Sequence, residues 1–109
     1  MIAARRITLV LAALTAAASA AHAQDATALR ARSLAATCAQ CHGTDGRSAD
    51  SANTAVPALA GMPAATLVAQ MTAFKNGTRS GTVMPQIAKG FNDAQIAQLA
   101  AWFAAAPAR

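Results

Sequence analysis

Apolar residues fall at helical spacing in two stretches of the chain, and nowhere do they alternate as a strand would require. Leu67, Met71 and Phe74 stand at i, i+4 and i+7, with Pro63 placed where a first helical turn tolerates it. Gly77, just after Asn76, is placed to close that helix as its C′ residue. Further on, Ile96, Leu99, Trp102 and Phe103 share roughly one third of a helical wheel. Asn92 followed three positions later by Gln95 predicts a capping box at the start of this helix, and Pro107 its end. Gln95 intrudes on the apolar arc, so the amphipathic pattern is imperfect. The alanine- and arginine-rich stretch from Ala26 to Thr37 predicts another helix, with Asp25 or Thr27 as N-cap, running straight into Cys38.

Between these stretches the chain is polar and punctuated. Gly43 to Val56 is rich in Gly, Ser, Asp, Asn and Thr and reads as loop, continued by Pro57 to Gly61 as an extended connection. Thr78 to Gly90 holds Gly81, Pro85 and Gly90 and is expected to be mostly irregular, with Pro85 pushing Met84 toward an extended backbone. No internal repeat is visible. The pattern predicts a small all-α domain.

The first residues read as a secretion leader. Arg5 and Arg6 form a basic n-region, the apolar run from Ile7 to Ala18 is too short to span a bilayer, and Ala21-His22-Ala23 suits a signal peptidase. Cleavage is expected before Gln24, so that residues 1–23 are a signal peptide and 24–109 one domain exported to the periplasm. An uncleaved anchor is the alternative. The remaining 86 residues of 109 can bury only a modest core, and such chains often need a staple. Aromatic residues are few (Phe74, Phe91, Trp102 and Phe103, with no tyrosine), which suits a core whose main flat ring is not an amino acid.

The whole chain carries a net charge of +5; without Arg5 and Arg6, seven bases face four acids, a net +3. The bases are scattered singly and no aromatic ladder accompanies them, which argues against nucleic-acid binding. A mild positive face could steer docking onto an acidic redox partner, or simply be a solvated surface.

Cys38-Ala39-Gln40-Cys41-His42 carries the chemistry. C-x-x-C-H is the spacing that attaches a c-type haem, with two thiols for two vinyl groups and an imidazole for the iron. C-x-x-C also occurs in redox dithiols and metal knuckles, and these readings stay open. Dithiol enzymes usually carry the motif in a βαβ setting, and no strands are visible here. A second axial ligand has to be a methionine, because His22 belongs to the leader and leaves His42 as the single histidine. Met71 lies on the apolar stripe of its helix and Met62 in a turn between Gly61 and Pro63. Met84, in a glycine-punctuated loop, has the strongest case. His/Met ligation raises the potential relative to a second nitrogen and leaves no open site, which suits electron transfer rather than catalysis at the iron.

Cys38 to His42, Pro57-Ala58-Leu59-Ala60-Gly61, Val83-Met84-Pro85 and the helix from Asn92 to Ala105 together resemble class I bacterial cytochromes c. The likeness extends to the haem subunit of flavocytochrome c sulfide dehydrogenase and related short periplasmic cytochromes. It rests on Leu34-Ala35-Ala36-Thr37-Cys38, Ala73-Phe74-Lys75-Asn76-Gly77-Thr78-Arg79 and Met84 through Ile87-Ala88-Lys89-Gly90-Phe91. The resemblance implies three to four helices wrapped around one covalent haem c, bound through Cys38 and Cys41 with His42 proximal and Met84 distal. It implies that the Pro57 carbonyl orients His42, that the first and last helices cross with the small side chains around Ala35 meeting Trp102 or Phe103, and that Lys75 and Arg79 lie near a propionate. Some sulfide dehydrogenase haem subunits carry two haem domains, whereas this chain has one C-x-x-C-H.

The function expected is periplasmic electron transfer, as the haem subunit draining a sulfide-oxidising flavoprotein or as a free-standing mobile carrier. The chain would then be a non-catalytic redox component, with no membrane span once the leader is removed. A haem enzyme or small-ligand binder with an open distal site is the alternative from a different class. It lacks an arginine or second histidine poised for acid–base work on the distal side.

Overall fold

The structure, a computed structural model, describes residues 22, 23, 25–48 and 56–108. The leader expected over residues 1–23 lies outside these apart from His22 and Ala23, as does the part of the polar loop at 49–55. The chain divides into two compact units, Met1–Arg30 and Ala31–Arg109.

In the first unit the described residues are helical, and the Thr27 hydroxyl donates to the Ala23 carbonyl at 3.0 Å. Asp25 and Thr27 are therefore interior helical residues rather than the expected N-cap. Ala26 and Ala28 on either side of Thr27 favour continued helix, and the Thr27 side chain bonds back to the preceding turn instead of capping a following one.

The second unit is all-helical among its described residues. Its helices are α1 (31–42), α2 (Ala64–Lys75), α3 (Met84–Lys89) and α4 (Asp93–Ala105), with a short 3₁₀ turn at Thr44–Gly46. α1 continues through the C-x-x-C-H motif as far as His42. α2 packs against both α3 and α4.

The core forms where the sequence periodicity places it. Ile96, Leu99 and Phe103 of α4 are almost fully buried, joined by Ala100, by Leu67 and Met71 of α2, and by Ala35 of α1. Burying a side chain such as Phe103 or Ile96 contributes about 1.5–3 kcal/mol each. Trp102 is half-buried at the edge of this cluster. Both halves of the capping box are present, with Gln95 N–H donating to Asn92 Oδ1 at 2.8 Å and Asn92 N–H to Gln95 Oε1 at 2.9 Å. This bond accounts for Gln95 on the apolar arc: its side chain satisfies the helix start. Gly77 has φ +81° just beyond Asn76, which caps α2 by donating its N–H to the Thr72 carbonyl.

One stretch departs from expectation. Thr78 to Gly90 is irregular over seven of its thirteen residues, as expected, but the other six form a short helix, and Met84 is not extended but is the first residue of α3. Pro85 occupies the first helical turn, where its missing N–H would have had no partner and its fixed φ suits the helix. The N–H groups of Gln86 and Ile87 then donate to the Val83 carbonyl at 3.0 and 3.2 Å, closing the turn past the proline. Ala88, completely buried, fastens α3 to the core.

Candidate functional site

α1 delivers Cys38, Cys41 and His42 from consecutive turns, so that residues three and four apart share a helix face. Both cysteines are free thiols, Cys38 partly buried and Cys41 exposed. Burial pushes the Cys38 thiol above its ordinary range; the neighbouring Thr37 hydroxyl, 4.0 Å away, opposes the rise and Cys41 adds to it. Among the described residues no three His, Cys, Asp or Glu side chains are grouped to hold an ion.

The imidazole of His42 is tied down. Its Nδ1 lies 2.7 Å from the carbonyl oxygen of Pro57, an acceptor only, so Nδ1 carries a proton, and in the neutral ring Nε2 keeps its lone pair. Histidines that bind metals are oriented in this way by a bond to the other ring nitrogen. The acceptor is positioned through the chain around Gly46. Gly43 and Gly46 have φ of +83° and +74°, and Asp45 also lies in the left-handed region, which turns the backbone sharply after His42. The Gly46 carbonyl then accepts from Leu59 N–H at 2.7 Å and Ala60 N–H at 3.1 Å. Gly61 N–H donates to the Phe103 carbonyl at 2.9 Å, and Arg47 Nε to the Pro107 carbonyl at 3.3 Å. The segment bearing Pro57 is thereby fastened both to the turn after the motif and to the end of α4.

The three candidate methionines occupy different settings. Met71 is core, 7% exposed on the buried face of α2. Met62 and Met84 are half-buried and pack against the core from its margin, as do Leu34, Cys38 and Leu59. Met84 stands at the start of α3, with its neighbours Val83 and Ile87 exposed.

Lys75 and Arg79 have protein partners. Lys75 Nζ donates to the Phe91 carbonyl at 2.8 Å and to Asp93 Oδ1 at 3.2 Å, tying the end of α2 to the start of α4. The Arg79 guanidinium lies over the Phe74 ring, 4.7 Å from its centre. Sequence reasoning missed these two links and the role of Gly46. A Gly-Thr-Asp-Gly run directly after His42 is the one signal that pointed to a tight turn there.

The donor set fits a covalent haem on the structure's own terms. Two free thiols stand three residues apart on one helix, the adjacent imidazole presents Nε2 as its free nitrogen, and half-buried methionines stand at the core margin. No described helix is long and apolar enough to cross a membrane. No curated protein matches the chain. Residues 24–103 match the family model described as cytochrome C oxidase, cbb3-type, subunit III. The chain therefore belongs to that family, as a class I c-type cytochrome domain that binds haem c and transfers electrons with redox partners.

Proposed function

We propose that the chain is a single-haem electron-transfer protein of the periplasm. Cys38 and Cys41 form the thioether bonds, His42 is one axial ligand and Met84 the other. The observation that carries this reading is the 2.7 Å hydrogen bond between His42 Nδ1 and the Pro57 carbonyl, which holds the ring in its ligating tautomer. When bound, the haem supplies a one-electron ferric–ferrous couple. The chain's residues do the rest. Pro57 holds the proton on Nδ1 and keeps the ring from turning. Met84 presents a thioether, which favours the ferrous state relative to a second imidazole. Ile96, Leu99 and Phe103 keep water from the interior. With both axial positions filled, no site is left for a substrate, and the chain relays electrons without chemistry of its own.

Residues 1–23 serve in this reading as a leader cleaved before Gln24, the residue at which the family match begins. A sulfide-oxidising flavoprotein is the proposed partner, and sulfide then reduces the chain only when that partner is present. The family description names an oxidase subunit, which favours a second partner, a terminal oxidase that draws electrons from the chain. Co-purification from the native membrane and soluble fractions distinguishes the two.

The site is tested by expressing the full chain in a host competent in haem attachment. A pyridine haemochrome assay is expected to give one haem per chain. The ferric wild type is expected to show the red sulfur-to-iron charge-transfer band, and Met84→Ala to lose it. Colourless protein overturns the reading; persistence of the band transfers the distal role to Met62 or Met71.

A further inference from the structure

The path from α2 to Met84 is held by a small clamp of its own. After Lys75 the backbone folds back on the last turn of α2. Asn76 Oδ1 accepts from Thr78 N–H at 3.0 Å and from the Thr78 hydroxyl at 2.7 Å, and Arg79 N–H donates to the Ala73 carbonyl at 3.0 Å. This bond delivers the Arg79 guanidinium to the face of Phe74. The edge of the same ring meets Gly81, where a Cβ would lie 3.1 Å from Phe74 Cε1. On its other side that Cβ would lie 3.2 Å from Pro85 Cδ. Gly81 therefore fills a slot between the Phe74 ring and the ring of the residue that follows Met84. Phe74 is fixed on α2 and half-buried against the core, so it serves as the wall from which this slot is measured.

We infer that the close fit of Gly81 between Pro85 and Phe74, the latter closed over by Arg79, positions the distal ligand: the spacing of the Phe74–Gly81–Pro85 stack sets where α3 begins and so where Met84 presents its sulfur. The inference rests on Met84 as the axial ligand. It gives Arg79 a role within the protein itself, since a guanidinium spread over a ring gains a cation–π interaction and covers the apolar face. It also explains a glycine whose backbone has no need of a left-handed conformation: Gly81 is small because two rings converge on it.

The test uses the full-length haem-loaded protein and imidazole as a competing distal ligand. Overpacking at Gly81→Ala should press Pro85 away from Phe74 and loosen Met84. Ferric Gly81→Ala is expected to bind imidazole roughly tenfold more tightly than wild type, with a weakened charge-transfer band. Phe74→Leu in the same chain removes the ring edge that the new methyl meets, and is expected to return both readouts toward wild type. A general loss of stability would not be reversed by trimming a second residue from the core margin, so this rescue separates positioning from mere structural support. Unchanged imidazole affinity in Gly81→Ala, or tighter binding that Phe74→Leu fails to reverse, overturns the inference. Met84→Ala runs in parallel: if it keeps the band, the assignment of Met84 itself fails, and the inference falls with it for that separate reason.

Discussion

Gly46 lies so close beneath the Phe103 ring that a Cβ on it would come within 2.7 Å of two ring carbons. The glycine is buried, holds φ at +74°, and its carbonyl accepts the N–H groups of Leu59 and Ala60. One residue thus joins the turn after His42, the segment that carries Pro57, and the last buried side chain of α4.

Gly46→Ala should be among the most damaging small substitutions in the chain. The left-handed backbone costs a non-glycine residue about 1–2 kcal/mol, and crowding Phe103 about 1–3 kcal/mol more. Chemical denaturation of the haem-loaded protein is expected to show a loss of about 3 kcal/mol. A stability within error of wild type would mean that Phe103 yields and that the contact is not binding the two segments. Gly77→Ala offers the contrast. It shares the positive φ, but nothing lies within 4 Å of its Cβ position, so only the backbone cost of about 1–2 kcal/mol is expected.

The capping box isolates a local contribution. Asn92→Ala removes the acceptor for the Gln95 N–H and leaves one of the first N–H groups of α4 without its partner. The expected loss is about 1 kcal/mol, read as a lower denaturation midpoint with an unchanged denaturant slope. Asn92→Ser should recover most of it, because a serine hydroxyl accepts the same bond.

Much of this domain is legible in its residues, and the reason differs from element to element. α4 is readable because its buried positions recur at helical spacing and its cap is local: Asn92, Gln95, Ile96, Leu99 and Phe103 report on one another over a few residues. The motif at Cys38 to His42 is readable because covalent attachment demands fixed residue types at fixed spacing. α3 is hidden for the opposite reason. Its buried residue is an alanine, which gives no apolar signal, and Pro85 directs expectation toward extended chain although a first helical turn accepts it. Gly46 under Phe103 and Lys75 on Phe91 are pairings created by tertiary packing, and Arg79 on Phe74 by the backbone turning back on the end of α2. The sequence lists the partners without saying that they meet.

Lys75 tests which of its two bonds matters. Asp93 is almost wholly exposed and Lys75 about one third exposed, so their ion pair is screened by solvent and contributes at most about 1 kcal/mol. The bond to the Phe91 carbonyl is the better sheltered and ties the chain just before α4. Asp93→Asn is therefore expected to change stability by less than about 0.5 kcal/mol. Lys75→Met, which keeps the apolar stem but loses the donor, is expected to cost about 1–2 kcal/mol. Equal losses for the two variants, both abolished by high salt, would show that the ion pair dominates instead.

The bond from His42 to Pro57 is expected to tune the redox couple as well as to orient the ring. A carbonyl accepting the Nδ1 proton leaves more electron density on Nε2, which favours the ferric state of a bound iron. Pro57→Gly keeps a carbonyl at that position but frees the backbone that aims it, so the bond is made for a smaller fraction of the time. The reduction potential of the variant should rise, by an amount on the order of the 1 kcal/mol that a hydrogen bond contributes. The charge-transfer band from the distal sulfur should be unaltered, because Met84 enters from a different element. Equilibrium titration of both proteins against one mediator series measures the shift. A potential that is unchanged or lower would show that the Pro57 carbonyl restrains the ring without adding electron density to the iron.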